Sequence, residues 1–167
     1  LVVGVECLSR FIDWTDRGTA VLFGDGAGAV VLTPADEPGI IGTHLHSDGK
    51  YQDLLYFPYG VSKGFETLRN NSKDGLKMQG NEVFKVAVRM FVECTEKILT
   101  RNGFTADDVT LFIPHQANLR IIEAACKRVN LPMDRVFVNV DRYGNTGAAS
   151  VYVAMEEANA AGRLKKG

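Results

Sequence analysis

The chain has 167 residues, 46% of them hydrophobic, with 17 glycines, 5 prolines and a formal net charge of −1. That is enough apolar mass for a globular core, and no apolar run reaches the roughly 18 residues of a membrane-crossing helix. Charge is uneven: residues 1–60 hold 3 basic and 8 acidic side chains, or −5, and the rest hold 16 basic and 12 acidic, or +4. Such a bias is too weak for a nucleic-acid partner, though it suits an acidic or phosphate-bearing one.

The first element, "LVVGVEC" (1–7), is a β-branched apolar run expected to form a strand buried on both faces. It follows neither an initiator Met nor a basic leader, so the chain is expected to be part of something longer. Cys7, Cys94 and Cys126 are far apart and form no CxxC pair. This points to reduced thiols in a cytoplasmic protein, with neither a disulfide framework nor a metal site. "TAVLFGDGAGAVVLTP" (19–34) is two apolar runs about a glycine-rich centre. A phosphate loop would have to open a helix, and valines follow instead, so a tight strand-turn-strand around Asp25-Gly26 is expected. "GIIGTHLHSDG" (39–49) should begin as a strand and end in a turn. Residues 50–78 show no period and contain Pro58, Gly60, Gly64 and Gly75, which predicts a long loop with room for a short helix.

From Asn81 the pattern turns helical: Val83, Ala87, Met90, Cys94 and Ile98 recur at three- and four-residue spacing, and Gly103 stops the run. Cys94 should therefore point into a core. "DVTLFIP" (108–114) predicts a strand, Leu119 to Val129 a helix with Cys126 packed inward, and "RVFVNVD" (135–141) a second strand. "RYGNTGAAS" (142–150) should be a turn, and Val151 to Ala161 a last helix. Strands alternating with helices imply a parallel sheet of α/β class, and ligands gather at the carboxyl ends of such strands. "IPHQANLR" and "YGNTGAAS" both occupy that position.

A lone histidine at a helix start is usually structural, but His115 is matched by Asn145 at the end of the neighbouring strand, flanked by Gly144 and Gly147. A neutral imidazole N–H and an amide N–H₂ converging on one point can stabilise negative charge on a carbonyl oxygen. Neither donor is charged, which suits a reaction that expels a carboxylate.

"PHQANLR" and "GNTGAAS", with "TDRGTAVLFGDGAGAVVL" and "GNEVFKVAV" in the same order, resemble the signatures of the β-ketoacyl-acyl-carrier-protein synthase III family over essentially the whole chain. The resemblance implies a thiolase-like layered α/β fold, here as a fragment. Residues 1–37 would be the last strands of the N-terminal half, and 38–167 the C-terminal half without its final strand pair. It implies an acyltransferase that joins an acyl-CoA primer, acetyl-CoA above all, to malonyl-acyl carrier protein by decarboxylative Claisen condensation, without a cofactor, as a homodimer. His115 and Asn145 would bind the malonyl thioester oxygen. Gln116, Ala117, Asn118, Leu119 and Arg120, with Lys85 and Lys127, would meet the carrier protein. Gly80, Asn81, Phe84, Ala117 and Asn118 would line the channel for the pantetheine arm.

The family's nucleophilic cysteine has no counterpart here, since Cys7 aligns with a strand end where none belongs. The chain alone is therefore expected to be inactive. Two alternatives stay open: another thiolase-fold condensing or priming synthase, and a non-catalytic carrier-protein-binding domain.

Overall fold

The computed structural model describes residues 1–37, 39–58 and 75–165. Strand β1 (Val2–Cys7) pairs antiparallel with β2 (Asp25–Val30), Val2 opposite Val30 and Cys7 opposite Asp25. This corrects the expected hairpin. Asp25 and Gly26 lie inside a strand, not at a turn, and the chain reaches them through turns over residues 16–22. The glycines serve a close approach instead. A Cβ on Gly28 would stand 2.5 Å from Tyr152 Cβ, and one on Gly24 would collide with the Tyr143 carbonyl. Glycine spacing alone does not separate these two uses.

The ribbon also departs from burial on both faces. Gly4 and Glu6 turn inward, whereas Val3 and Val5 are 53% and 55% exposed. No strand forms over the described part of 39–49, and Ile40, Ile41 and Leu45 are exposed. The loop expected over 50–78 falls partly outside the described residues. Its described ends hold a 3-10 turn (Gly49–Leu54) and a short antiparallel pair, β3 (Leu55–Tyr56) with β4 (Lys77–Met78).

Three helices follow the sequence periods closely: α1 (Gly80–Arg101), α2 (Leu119–Arg128) and, after the short α3 (Val140–Tyr143), α4 (Ser150–Ala160). α2 is amphipathic, burying Ile121, Ile122, Ala125 and Cys126. It stops at Asn130, which adopts φ 56°, and Leu131 N–H then returns to the Cys126 carbonyl at 2.9 Å. This is the αL termination with its wrapped-back hydrogen bond and hydrophobic contact.

The expected strands at 108–114 and 135–141 reduce to one parallel bridge, Phe112 with Val136. Phe112 N–H donates to the Arg135 carbonyl at 2.8 Å, and Phe137 N–H donates to the Phe112 carbonyl at 2.9 Å. The side chains still alternate as a strand's do. Phe112, Val136 and Val138 pack with Ile122, Cys126 and Leu131, whereas Leu111, Ile113 and Phe137 pack with Ala154 and Ala158. Two extended segments thus lie between α2 and α4, and their ends carry the two polar motifs. The second segment ends sooner than expected, because Val140–Tyr143 turns helical.

Candidate active site

The extended segment through Phe112 ends at Pro114, and His115 follows at the turn into α2. Gln116 fixes that turn. It is 1% exposed, its amide N–H₂ donates to the Pro114 and Phe137 carbonyls at 2.9 and 3.1 Å, and its Oε1 accepts Asn139 N–H at 2.9 Å. One buried amide therefore ties the ends of both segments together, with every bond it needs in a place where an unpaired group would be costly. This corrects the expected surface role of Gln116, whose side chain faces inward.

Asn145 sits on the second motif. Its backbone is clamped to the loop ahead of β2: Asn145 N–H donates to the Leu22 carbonyl at 2.8 Å, and its own carbonyl accepts Gly24 N–H at 3.0 Å. Its side-chain Oδ1 accepts Gly147 N–H at 3.0 Å, which leaves the N–H₂ end for the cavity that Asn145 lines. The flanking glycines are required by conformation as well as space. Gly144 and Gly147 have φ of +67° and +51°, and a Cβ on Gly147 would meet the Glu6 carboxylate at 2.7 Å. Glu6 in turn accepts Ala148 N–H at 3.1 Å.

His115 and Asn145 line one cavity of about 260 Å³, together with Gly80, Phe84, Ala117 and Asn118. Its remaining wall is largely apolar, from Leu22, Phe23, Val83, Phe91 and Ile121. Five expected site residues from α1 and the α2 turn thus converge with Asn145. Asn81 does not join them; it is exposed and not part of the wall. Asn118 also caps α2, its Oδ1 accepting Arg120 N–H at 2.9 Å.

His115 Nδ1 lies 2.6 Å from Ser150 Oγ, which also accepts Gln116 N–H at 3.3 Å. Burial pushes the His115 pKa below its usual value, and the Glu6 carboxylate opposes this to a smaller degree. A neutral imidazole is the result near neutral pH.

A second cavity, about 470 Å³, is also lined by His115, together with Cys94, His44 and Phe112 among others. Cys94 therefore faces a cavity and not a packed core, which corrects its expected placement. Cys126 is buried, and desolvation raises its thiol pKa. Cys7 is exposed on β1. No cysteine among the described residues lines the cavity shared by His115 and Asn145.

Leu119, Arg120 and Lys127 are exposed on α2, and Arg120 and Lys127 share a face seven residues apart, with Glu123 between them. Lys85 is exposed on α1 and paired with Glu82 at 2.7 Å. Ser150, Glu6 and Glu157 were not singled out from sequence, and only the position of Ser150 at a helix start could have flagged it.

Residues 1–49 match the family described as 3-oxoacyl-[acyl-carrier-protein (ACP)] synthase III, and residues 99–167 match its C-terminal counterpart. A β-ketoacyl-[acyl-carrier-protein] synthase III from Alkalilimnicola ehrlichii is 52% identical over 100% of the chain and 51% of its own length. The crystal structure of 3-oxoacyl-[acyl-carrier-protein] synthase III from Aquifex aeolicus VF5 superposes with a TM-score of 0.89 at 42% identity, covering 99% of this chain and 50% of that one. The priming β-ketosynthase of the R1128 polyketide pathway gives a TM-score of 0.84 at 36% identity, with 99% and 50% covered. The chain spans about half the length of the curated relatives it matches.

Proposed function

Since the chain belongs to the 3-oxoacyl-[acyl-carrier-protein] synthase III family and has its thiolase-like layered α/β fold, we propose that it carries the malonyl-decarboxylating half of a condensing active site. The observation that supports this reading most is the single cavity walled by both His115 and Asn145. A malonyl thioester would enter with its carbonyl oxygen toward the two N–H donors. The bond between the methylene carbon and the carboxylate breaks, CO₂ leaves, and the electron pair flows into the thioester carbonyl. Negative charge then grows on the oxygen that the two donors face, and they stabilise it more than they stabilise the ground state.

The enolate carbon attacks an acyl thioester, and the new carbon–carbon bond expels the acyl-bearing thiolate. That nucleophile is proposed to lie in the part of the longer relatives that this chain does not span. The leaving carboxylate itself supplies the electron pair, so the proposed reaction needs no cofactor. Gly80, Phe84, Ala117 and Asn118 would border the pantetheine arm, with Asn81 at its exposed edge. Leu119, Arg120, Lys127 and Lys85 would meet the acidic carrier protein, and such charges chiefly steer encounter. The same reading takes acyl-CoA, acetyl-CoA first, as primer donor, a cytoplasmic homodimer as the working form, and 37/38 as the boundary between the two thiolase-like halves.

The test is to supply the full-length protein with acetyl-CoA and malonyl-acyl carrier protein. Acetoacetyl-acyl carrier protein is the expected product, and its absence would remove the reading. A second reading, a polyketide-type priming synthase, is favoured by the likeness to the R1128 ketosynthase. It predicts faster turnover with longer or branched acyl-CoA primers than with acetyl-CoA.

A further inference from the structure

We propose that Ser150 is a positioning residue that sets which nitrogen of His115 carries the proton, keeping it on Nε2 and leaving Nδ1 as an acceptor. The proposal rests on the reading of His115 as a donor to a developing enolate oxygen, since only an Nε2–H imidazole held at Nδ1 can donate from its free nitrogen.

Ser150 Oγ is in a buried residue, 2% exposed, and has two neighbours of hydrogen-bonding type among the described residues. One is Gln116 N–H, which can only donate, so it occupies a lone pair of the hydroxyl oxygen. The other is His115 Nδ1 at 2.6 Å. If Nδ1 carried the proton, two donors would point at one hydroxyl oxygen, and the hydroxyl proton would have no acceptor in a buried place, an arrangement folded proteins avoid. If Ser150 donates to Nδ1, every group is satisfied and the imidazole proton resides on Nε2.

The backbone favours the same choice. Ser150 opens α4, an 11-residue helix, whose positive N-terminal end favours a lone pair over an N–H at the nearby Nδ1. The Glu6 carboxylate acts in the opposite sense on His115, and it is itself engaged by Ala148 N–H. Desolvation of His115 keeps the ring neutral, so the choice is between two neutral tautomers and not between neutral and charged forms.

Ser150 also links the two motifs. It holds the His115 turn through Nδ1 and through Gln116 N–H, and it lies five residues after Asn145 on the same short turn into α4. One hydroxyl therefore sets the identity of one donor and its register with the other.

The test uses full-length protein labelled with ¹⁵N in its histidine rings. Long-range ¹H–¹⁵N correlation distinguishes Nε2–H from Nδ1–H, and decarboxylation of malonyl-CoA is followed in parallel. Wild type should show the Nε2–H pattern for His115. S150A should shift it toward Nδ1–H or a mixture, and should lower kcat on the order of 10–100-fold, as loss of an orienting partner does for metal-bound histidines. KM should change little. S150T, which restores the hydroxyl, should recover both the spectrum and much of the rate.

An Nδ1–H pattern in wild type overturns the proposal, and so does S150A that keeps Nε2–H with kcat within about twofold of wild type. Should S150A fold poorly, the wild-type spectrum alone decides. A protein that decarboxylates no malonyl thioester would sink the catalytic reading of His115, and the spectra would still decide the tautomer.

Discussion

Desolvation holds the His115 pKa below the ordinary value of 6.5, against a weaker pull from Glu6, and this gives stability and rate a common pH dependence. Between the depressed folded value and 6.5, the unfolded chain binds a proton that the folded chain refuses. Stability therefore rises with pH through that window, and the contribution is lost as pH falls through it. Urea midpoints measured from about pH 5 to about pH 7 should show this slope, and His115→Gln should flatten it. Equal slopes in both proteins would mean that another group sets the dependence. Decarboxylation should fall on the acid side of the same window, where a charged imidazole would hold the malonyl carboxylate back. The other donor is positioned without charge, by the Gly147 N–H on Asn145 Oδ1 and by backbone bonds to Leu22 and Gly24.

At the level of elements, the turn from the second extended segment into α4 hangs on Glu157. Its carboxylate accepts Asn139 N–H₂ at 2.8 Å, Arg142 at 2.6 Å and Tyr143 O–H at 2.6 Å. Asn139 is 1% exposed, so Glu157→Ala would strand a buried amide and should lower stability by about 1–3 kcal/mol. An unchanged denaturation midpoint would contradict that assignment. The helices were legible because periodicity survives any context: the spacing of Val83 to Ile98 and the stop at Gly103 mark α1 to within about two residues. The glycines at 24–28 are ambiguous in the sequence because a glycine needed for close packing against Tyr152 has the same letter as one needed for a turn. The family resemblance puts Gln116 against a carrier protein with the rest of its segment, whereas its partners, Pro114, Phe137 and Asn139, are brought together only by the fold. Ser150 has no local sequence signal for its role, because its hydrogen bond to His115 spans 35 positions.

Across the whole molecule, the basic side chains Arg120 and Lys127 lie on one exposed face of α2, the helix that directly follows the cavity-lining residues Ala117 and Asn118. If this face meets an acidic carrier, Arg120→Glu in the full-length protein should raise KM for malonyl-acyl carrier protein several-fold while leaving KM for acyl-CoA nearly unchanged. The difference should shrink as salt screens the charges over about 10 Å or less. Equal effects on both substrates would place the carrier elsewhere. Whether His115 and Asn145 together stabilise the enolate is read from CO₂ release from malonyl-acyl carrier protein by the full-length protein. His115→Ala and Asn145→Ala should each lower that rate by on the order of 10²–10³, while acyl transfer from acyl-CoA to the protein continues. Decarboxylation at the wild-type rate in either variant would mean that the two donors do not stabilise the enolate together.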